Sequence, residues 1–207
     1  MSTTDNPTDG KIVEYYFTPV SPWAYLGHAR FLAIAAAAGA TVEYKPADYG
    51  KIFAVSGGLP LAKRAPQRQA YRLFELKRWS ALLELPLHPH PKFFPVSADP
   101  AARLIVAAER AGGDIGRLLG GILGAVWAEE RNVGDAGTLG AIADAAGLDG
   151  QALLAAAETT AVKDAYDAHT EDAIAAQVFG APTYVYRGEP FWGQDRLDFL
   201  ERALKAG

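Results

Sequence analysis

The pattern of apolar and polar positions divides the chain into three textures. Residues 11–18 (KIVEYYFT) form a short, almost continuously apolar run of β-branched and aromatic side chains, which predicts a strand buried on both faces. Pro19-Val20-Ser21-Pro22 breaks the run. Ser21 suits a helix N-cap and Pro22 a first helical position, so a helix is predicted through the Ala- and Leu-rich stretch 23–38, closed by Gly39. Residues 41–45 (TVEYK) alternate as a second strand and complete a βαβ unit.

The texture changes after Gly57-Gly58-Leu59-Pro60. A basic segment, residues 63–72, leads into a helix with Leu76, Trp79 and Leu83 on one face. Residues 85–95 (LPLHPHPKFFP) are too rich in proline to be anything but loop. Asp99-Pro100 caps a further helix to about Gly112. Ile115, Leu118, Ile122 and Val126 mark another, ending near Asn132, and shorter helices cover 138–146 and 151–157. The last third is mixed again: a helix over 162–177, a break at Val178 to Pro182, and a strand over 183–186. A turn at Arg187-Gly188-Glu189-Pro190, a short strand starting at Phe191-Trp192, and a final helix N-capped by Asp195 complete it.

The order βαβ, all-helical, αββα predicts an α/β fold: a thioredoxin-like core with an inserted all-helical domain. The split core takes residues 11–56 and 160–207, the insertion residues 57–159, and residues 1–10 form a loose polar tail. A separate α/β unit beside a helical bundle would leave the terminal αββα without a sheet to join.

Composition then narrows the chemistry. The chain has 207 residues, 50% hydrophobic and 21% charged, with net charge −4 and no cysteine. A mildly acidic balance argues against nucleic acid as a partner. The missing cysteine removes disulfides, dithiol redox chemistry, cysteine nucleophiles and thiolate metal sites. His88 and His90 flank a proline without metal-ligand spacing, so no metal is expected. No apolar run is long enough to span a bilayer and the first residues lack a signal-peptide pattern, so a cytoplasmic protein without a membrane partner is expected.

Three places could carry chemistry. Ser21-Pro22 stands at a strand-to-helix turn, where the helix N-terminus stabilises an anion or thiolate; taken alone, Ser21 reads first as an ordinary cap. Gly180-Ala181-Pro182-Thr183 puts a proline at the entry to a strand. A cis Ala181–Pro182 bond would open the Ala181 backbone to an extended peptide-like ligand, while a trans proline at a strand start is the simpler alternative. Trp192-Gly193-Gln194-Asp195 offers turn amides and a carboxylate together, or only a routine helix start. Gly120-Gly121-x-x-Gly124 follows no strand and fits helix packing better than a dinucleotide site. Lys51, Lys63, Arg64 and Arg68 form a basic cluster near a Gly-rich loop. It is either a solvated face or a seat for a carboxylate, with Phe53, Phe94 and Trp127 as an aromatic wall.

VSPWAYLG (20–27), VFGAPTY (178–184) and FWGQDRL (191–197), in that order, resemble the 2-hydroxychromene-2-carboxylate isomerases. These group with the kappa-class glutathione transferases and the DsbA-like thioredoxin folds. ELKRW (75–79) and AVW (125–127) extend the resemblance into the helical part, and it runs from Lys11 onward. It implies glutathione as cofactor, a small aromatic carboxylate as substrate and a homodimer.

Residue by residue, the resemblance puts Ser21 where redox relatives have their first active-site Cys, to hydrogen-bond the glutathione thiolate. Ala181, before a cis-Pro182, would pair with the cysteinyl backbone of glutathione. Trp192, Gly193, Gln194 and Asp195 would hold the γ-glutamyl end. Lys51 and Lys63 or Arg64 fall near positions contacting the substrate carboxylate. Phe94 stands where the family can carry Tyr, and Gly58 where many relatives carry Asn. The activity implied is interconversion of 2-hydroxychromene-2-carboxylate and trans-o-hydroxybenzylidenepyruvate, or a related compound, through thiolate addition, bond rotation and elimination. A kappa-like transferase or a non-catalytic thioredoxin-like binding module are the alternatives.

Overall fold

In a computed structural model of the chain, residues 10–207 are described. The tail expected over residues 1–10 therefore lies, apart from Gly10, outside the described residues. Strand β1 (Ile12–Phe17) pairs in parallel with β2 (Thr41–Pro46) and antiparallel with β3 (Thr183–Tyr186), which pairs antiparallel with β4 (Glu189–Trp192). The sheet order is β2-β1-β3-β4. Helix α1 (Pro22–Ala37) crosses between β1 and β2.

Between β2 and β3 runs a succession of helices: α2 (Tyr49–Ser56), α3 (Pro66–Leu83), α4 (Asp99–Arg110), α5 (Ile115–Trp127), α6 (Ala136–Ala145), α7 (Gly150–Ala157) and α8 (Thr160–Ala175). A short 3₁₀ turn (Leu61–Lys63) precedes α3. After β4 a second 3₁₀ turn (Gln194–Arg196) leads into α9 (Leu197–Ala206).

Local chemistry explains these starts. Aspartates cap α2, α5, α6 and α7: Asp48 accepts from the Gly50 and Lys51 amides, Asp114 from Arg117, Asp135 from Thr138 and Asp149 from Ala152. Alternation in the strands then divides the core. Val13, Tyr15 and Phe17 of β1, with Tyr184 and Tyr186 of β3, pack on the side that buries Leu26, Phe31, Leu118, Ile122, Leu197 and Leu200. Tyr16 and Val185 point the other way, onto Ala47, Tyr49, Ile52, Ala173 and Val178. With both faces covered, the central strands tolerate the continuous apolar run seen in the sequence.

Several expected boundaries move. Helix α2 was not anticipated, and it carries Lys51. Helix α5 stops at Trp127, short of Asn132. The β3–β4 turn is only Arg187-Gly188, both with positive φ (52° and 78°), so Glu189 and Pro190 belong to β4 and Trp192 ends that strand. Asp195 does not cap the last helix: it sits in the 3₁₀ turn, and Arg196 holds the cap position without a side-chain bond. Of the α5 glycines, Gly121 serves packing, since a Cβ there would lie 3.0 Å from Ile142 of α6, whereas a Cβ on Gly124 would meet nothing within 4 Å.

Candidate active site

The sheet topology collects three loops at one end. Phe17, the last residue of β1, lies opposite Pro46 of β2, and Tyr16 opposite Thr183, the first residue of β3. Thr183 in turn faces Trp192, the last residue of β4. The turn to Ser21, the entry to β3 and the exit from β4 therefore share that edge.

Ser21 is 5% exposed. Its Oγ accepts the Ala24 amide at 3.2 Å, capping α1 and leaving the hydroxyl hydrogen free to donate. Pro22 has no N–H, and among the described residues the Trp23 N–H makes no hydrogen bond. No acidic residue lies in the first turn of α1, so its positive end is not neutralised locally.

The Ala181–Pro182 peptide is cis, the isomer the sequence context suggested. Ala181 is half-buried, and among the described residues its backbone N–H and C=O make no hydrogen bond. Its surroundings are tightly held: the Gly180 carbonyl accepts Thr183 Oγ1 at 2.7 Å and Tyr49 Oη at 3.2 Å, and the Gly193 amide donates to the Pro182 carbonyl at 2.9 Å. Tyr49, the first residue of α2, thus fixes this loop, a part sequence reasoning did not give it.

The β4 exit is divided. Trp192 is 51% exposed and its ring packs on Phe179, centroids 4.8 Å apart. Gly193 has φ 101°, which only glycine adopts without strain. The Gln194 side chain is not presented to a ligand: it is buried, and its Oε1 accepts from Arg30 of α1 at 2.9 Å. Any contribution of Gln194 to a ligand runs through its backbone. Asp195 is exposed, its carboxylate 2.8 Å from Arg196.

The expected cation cluster is distributed differently. Lys51 lies on α2, and its ammonium is 2.7 Å from Asp167 of α8, in an exposed pair of the kind that contributes little to stability. Lys63 is exposed at the end of its 3₁₀ turn. Arg64 is half-buried and donates Nε–H to the Leu59 carbonyl at 2.8 Å; burial and the neighbouring Arg68 push its guanidinium down.

The three aromatic residues expected to form one wall fall into two groups. Phe94 meets Trp127 with centroids 4.8 Å apart, whereas Phe53 packs on Tyr49. The sequence missed Arg72 of α3, whose guanidinium lies 5.6 Å from the Phe94 ring centre and 5.5 Å from that of Trp127. Burial, and then Arg64, push it down to about 10, which leaves it charged at neutral pH. Trp127 joins this group to the first loop, because its Nε1–H donates to the Val20 carbonyl at 3.3 Å, beside Ser21.

Among the described residues, no group of three or more His, Asp or Glu side chains could hold a metal ion, and no helix is long and apolar enough to cross a membrane.

A thioredoxin-like sheet, a cis-proline at the entry to β3 and a helix N-terminus at the adjoining edge define the class, and the match is direct. The chain belongs to the DSBA-like thioredoxin domain family, which matches residues 12–205. Within that class it is similar to 2-hydroxychromene-2-carboxylate isomerase of Sphingobium xenophagum, 29% identical over 94% of this chain and 98% of that protein. A solved structure of 2-hydroxychromene-2-carboxylate isomerase superposes with TM-score 0.78 at 28% identity, covering 94% of this chain and 95% of the other. A probable DsbA oxidoreductase from Streptomyces coelicolor shares the fold at TM-score 0.76 and 22% identity, covering 95% and 89%.

Proposed function

We propose that the protein is a glutathione-dependent cis–trans isomerase that interconverts 2-hydroxychromene-2-carboxylate and trans-o-hydroxybenzylidenepyruvate, or a closely related aromatic compound. One observation carries the reading. A cysteine-free chain keeps an uncompensated helix N-terminus, a serine with a free hydroxyl hydrogen and an unpaired backbone at Ala181, all at one sheet edge. Such an edge suits a peptide-like thiol brought from outside.

The residues present fit glutathione. The Ala181 N–H and C=O can extend the sheet by pairing with the cysteinyl backbone. Ser21 donates its hydroxyl hydrogen to the sulfur, and the Trp23 N–H with the α1 dipole adds to the same field. The Gly193 turn and Asp195 suit the γ-glutamyl ammonium, with Arg196 exchanged for the ligand. Bringing a thiol from about 8.5 to about 7 takes about 2 kcal/mol. A helix N-terminus plus one hydroxyl bond supplies that order of magnitude. When bound, glutathione supplies a thiolate able to add reversibly to the conjugated enone of the ring-opened substrate, allowing its double bond to rotate. Phe94, half-buried and backed by the buried Trp127, offers an aromatic surface suited to the substrate ring.

The test is to follow the ultraviolet spectrum of 2-hydroxychromene-2-carboxylate with enzyme, with and without glutathione. Isomerisation only in the presence of glutathione is expected. Glutathione binding without conversion of any enone would leave a binding module, and accumulation of a stable conjugate would make the protein a transferase.

A further inference from the structure

Arg72 lies against a pair of touching aromatic rings with nothing to neutralise it. Among the described residues it makes no hydrogen bond and no ion pair, and Glu75, the nearest acid on its helix, is held by Arg78. Its charged neighbour is Arg64, a like charge. Holding a guanidinium half-buried beside another is unfavourable, and stacking on Phe94 and Trp127 offsets only part of that. Both ring centres lie within 5.6 Å of its guanidinium carbon, and a guanidinium's fork of N–H donors suits a planar anion. Through Trp127 and the Val20 carbonyl this fork is tied to the loop that carries Ser21.

We infer that Arg72 is the specificity-determining cation of the site: it takes the carboxylate of an aromatic 2-oxo acid in a bidentate grip, with Phe94 and Trp127 packed near its guanidinium and Arg64 adding to the positive charge. This rests on the isomerase reading for the identity of the acid, but the anion site stands on its own geometry. It gives the role expected of Lys51 to a residue whose charge is not already engaged, since Lys51 is paired with Asp167.

The experiment compares trans-cinnamate with its methyl ester, both unreactive ring-bearing probes, by calorimetric titration of the wild-type protein, Arg72→Met and Arg72→Lys. Turnover of 2-hydroxychromene-2-carboxylate is measured in parallel. Wild type is expected to bind the acid at least tenfold more tightly than the ester. Arg72→Met should lose about tenfold or more in acid affinity, the scale of one charge-assisted contact, and bind the ester as wild type does. Arg72→Lys should recover only part, because it keeps the charge and loses the fork. In turnover, KM for the carboxylate substrate should rise in Arg72→Met while glutathione affinity holds. Equal loss of acid and ester would mean that only the wall had collapsed, and unchanged acid binding would remove Arg72 from recognition; either overturns the proposal. Selective acid binding in a wild-type protein that never isomerises would instead sink the isomerase reading and leave this site standing.

Discussion

At the scale of single residues, the proposed function gives Ser21 a second job beside capping α1, and the two can be separated. As a cap it satisfies one amide, and losing that costs about 1 kcal/mol. As the proposed donor to the glutathione sulfur it would act on the reaction itself. Ser21→Ala is therefore expected to melt only slightly below wild type while turnover falls about 100-fold, the usual effect of losing one preorganised donor. Thermal melts and initial rates on the same preparation check this, and an active alanine variant would exclude Ser21 from the mechanism. Ser21 and the Ala181–Pro182 pair were legible in the sequence because caps and strand breaks are local signals. Arg72 was not. In sequence it belongs to a basic run that reads as a solvated face, and only folding brings Phe94 and Trp127 beneath it. Gln194 sits in a polar turn, yet Arg30 draws its side chain inward, which leaves its backbone to meet a ligand.

Between elements, α1 is the shared wall of sheet and insertion, and two substitutions probe it. A Cβ on Gly27 would lie 2.6 Å from Gln194 Cβ and 3.1 Å from the Tyr184 hydroxyl. Gly27→Ala should cost about 1–3 kcal/mol as an overpacking change. It should also weaken glutathione binding, because the turn carrying Gly193 and Asp195 is pushed away from α1; denaturant melts and titration measure both.

His28 joins α1 to α5 through the Gly116 carbonyl at 2.8 Å, and burial holds its imidazole below the ordinary 6.5. His169 is lowered too, by burial and then Lys45. The unfolded chain takes up protons near 6.5 while the native state does not. Stability is thus full above that pH, falls as pH drops through it, and levels off below the native values. Melting temperature should fall from about pH 7 to about pH 5, and His28→Gln should flatten part of that slope. An unchanged slope would mean His28 is not the linked group. Helix α2 escaped the sequence reading although Asp48 and Gly57 bracket it.

Over the whole molecule, the legible part was the order of elements. Strand, helix, strand, then helices, then strands again admits one economical sheet, and the parallel β1–β2 pair with the antiparallel β3–β4 hairpin realises it. What stayed hidden was where the helical segment meets the sheet. That depends on contacts far apart in sequence, such as Trp127 to Val20 and Tyr49 to Gly180. These contacts tie the aromatic wall and the Ala181 loop to the edge that carries Ser21. In the proposed reaction this edge lowers the thiol pKa of bound glutathione. Thiolate absorbance, recorded against pH for glutathione with saturating protein, tests it most directly. The account predicts that the bound thiol titrates near about pH 7, and that Ser21→Ala moves it back toward about 8.5. A bound thiol that titrates like free glutathione, in wild type and variant alike, would contradict the account.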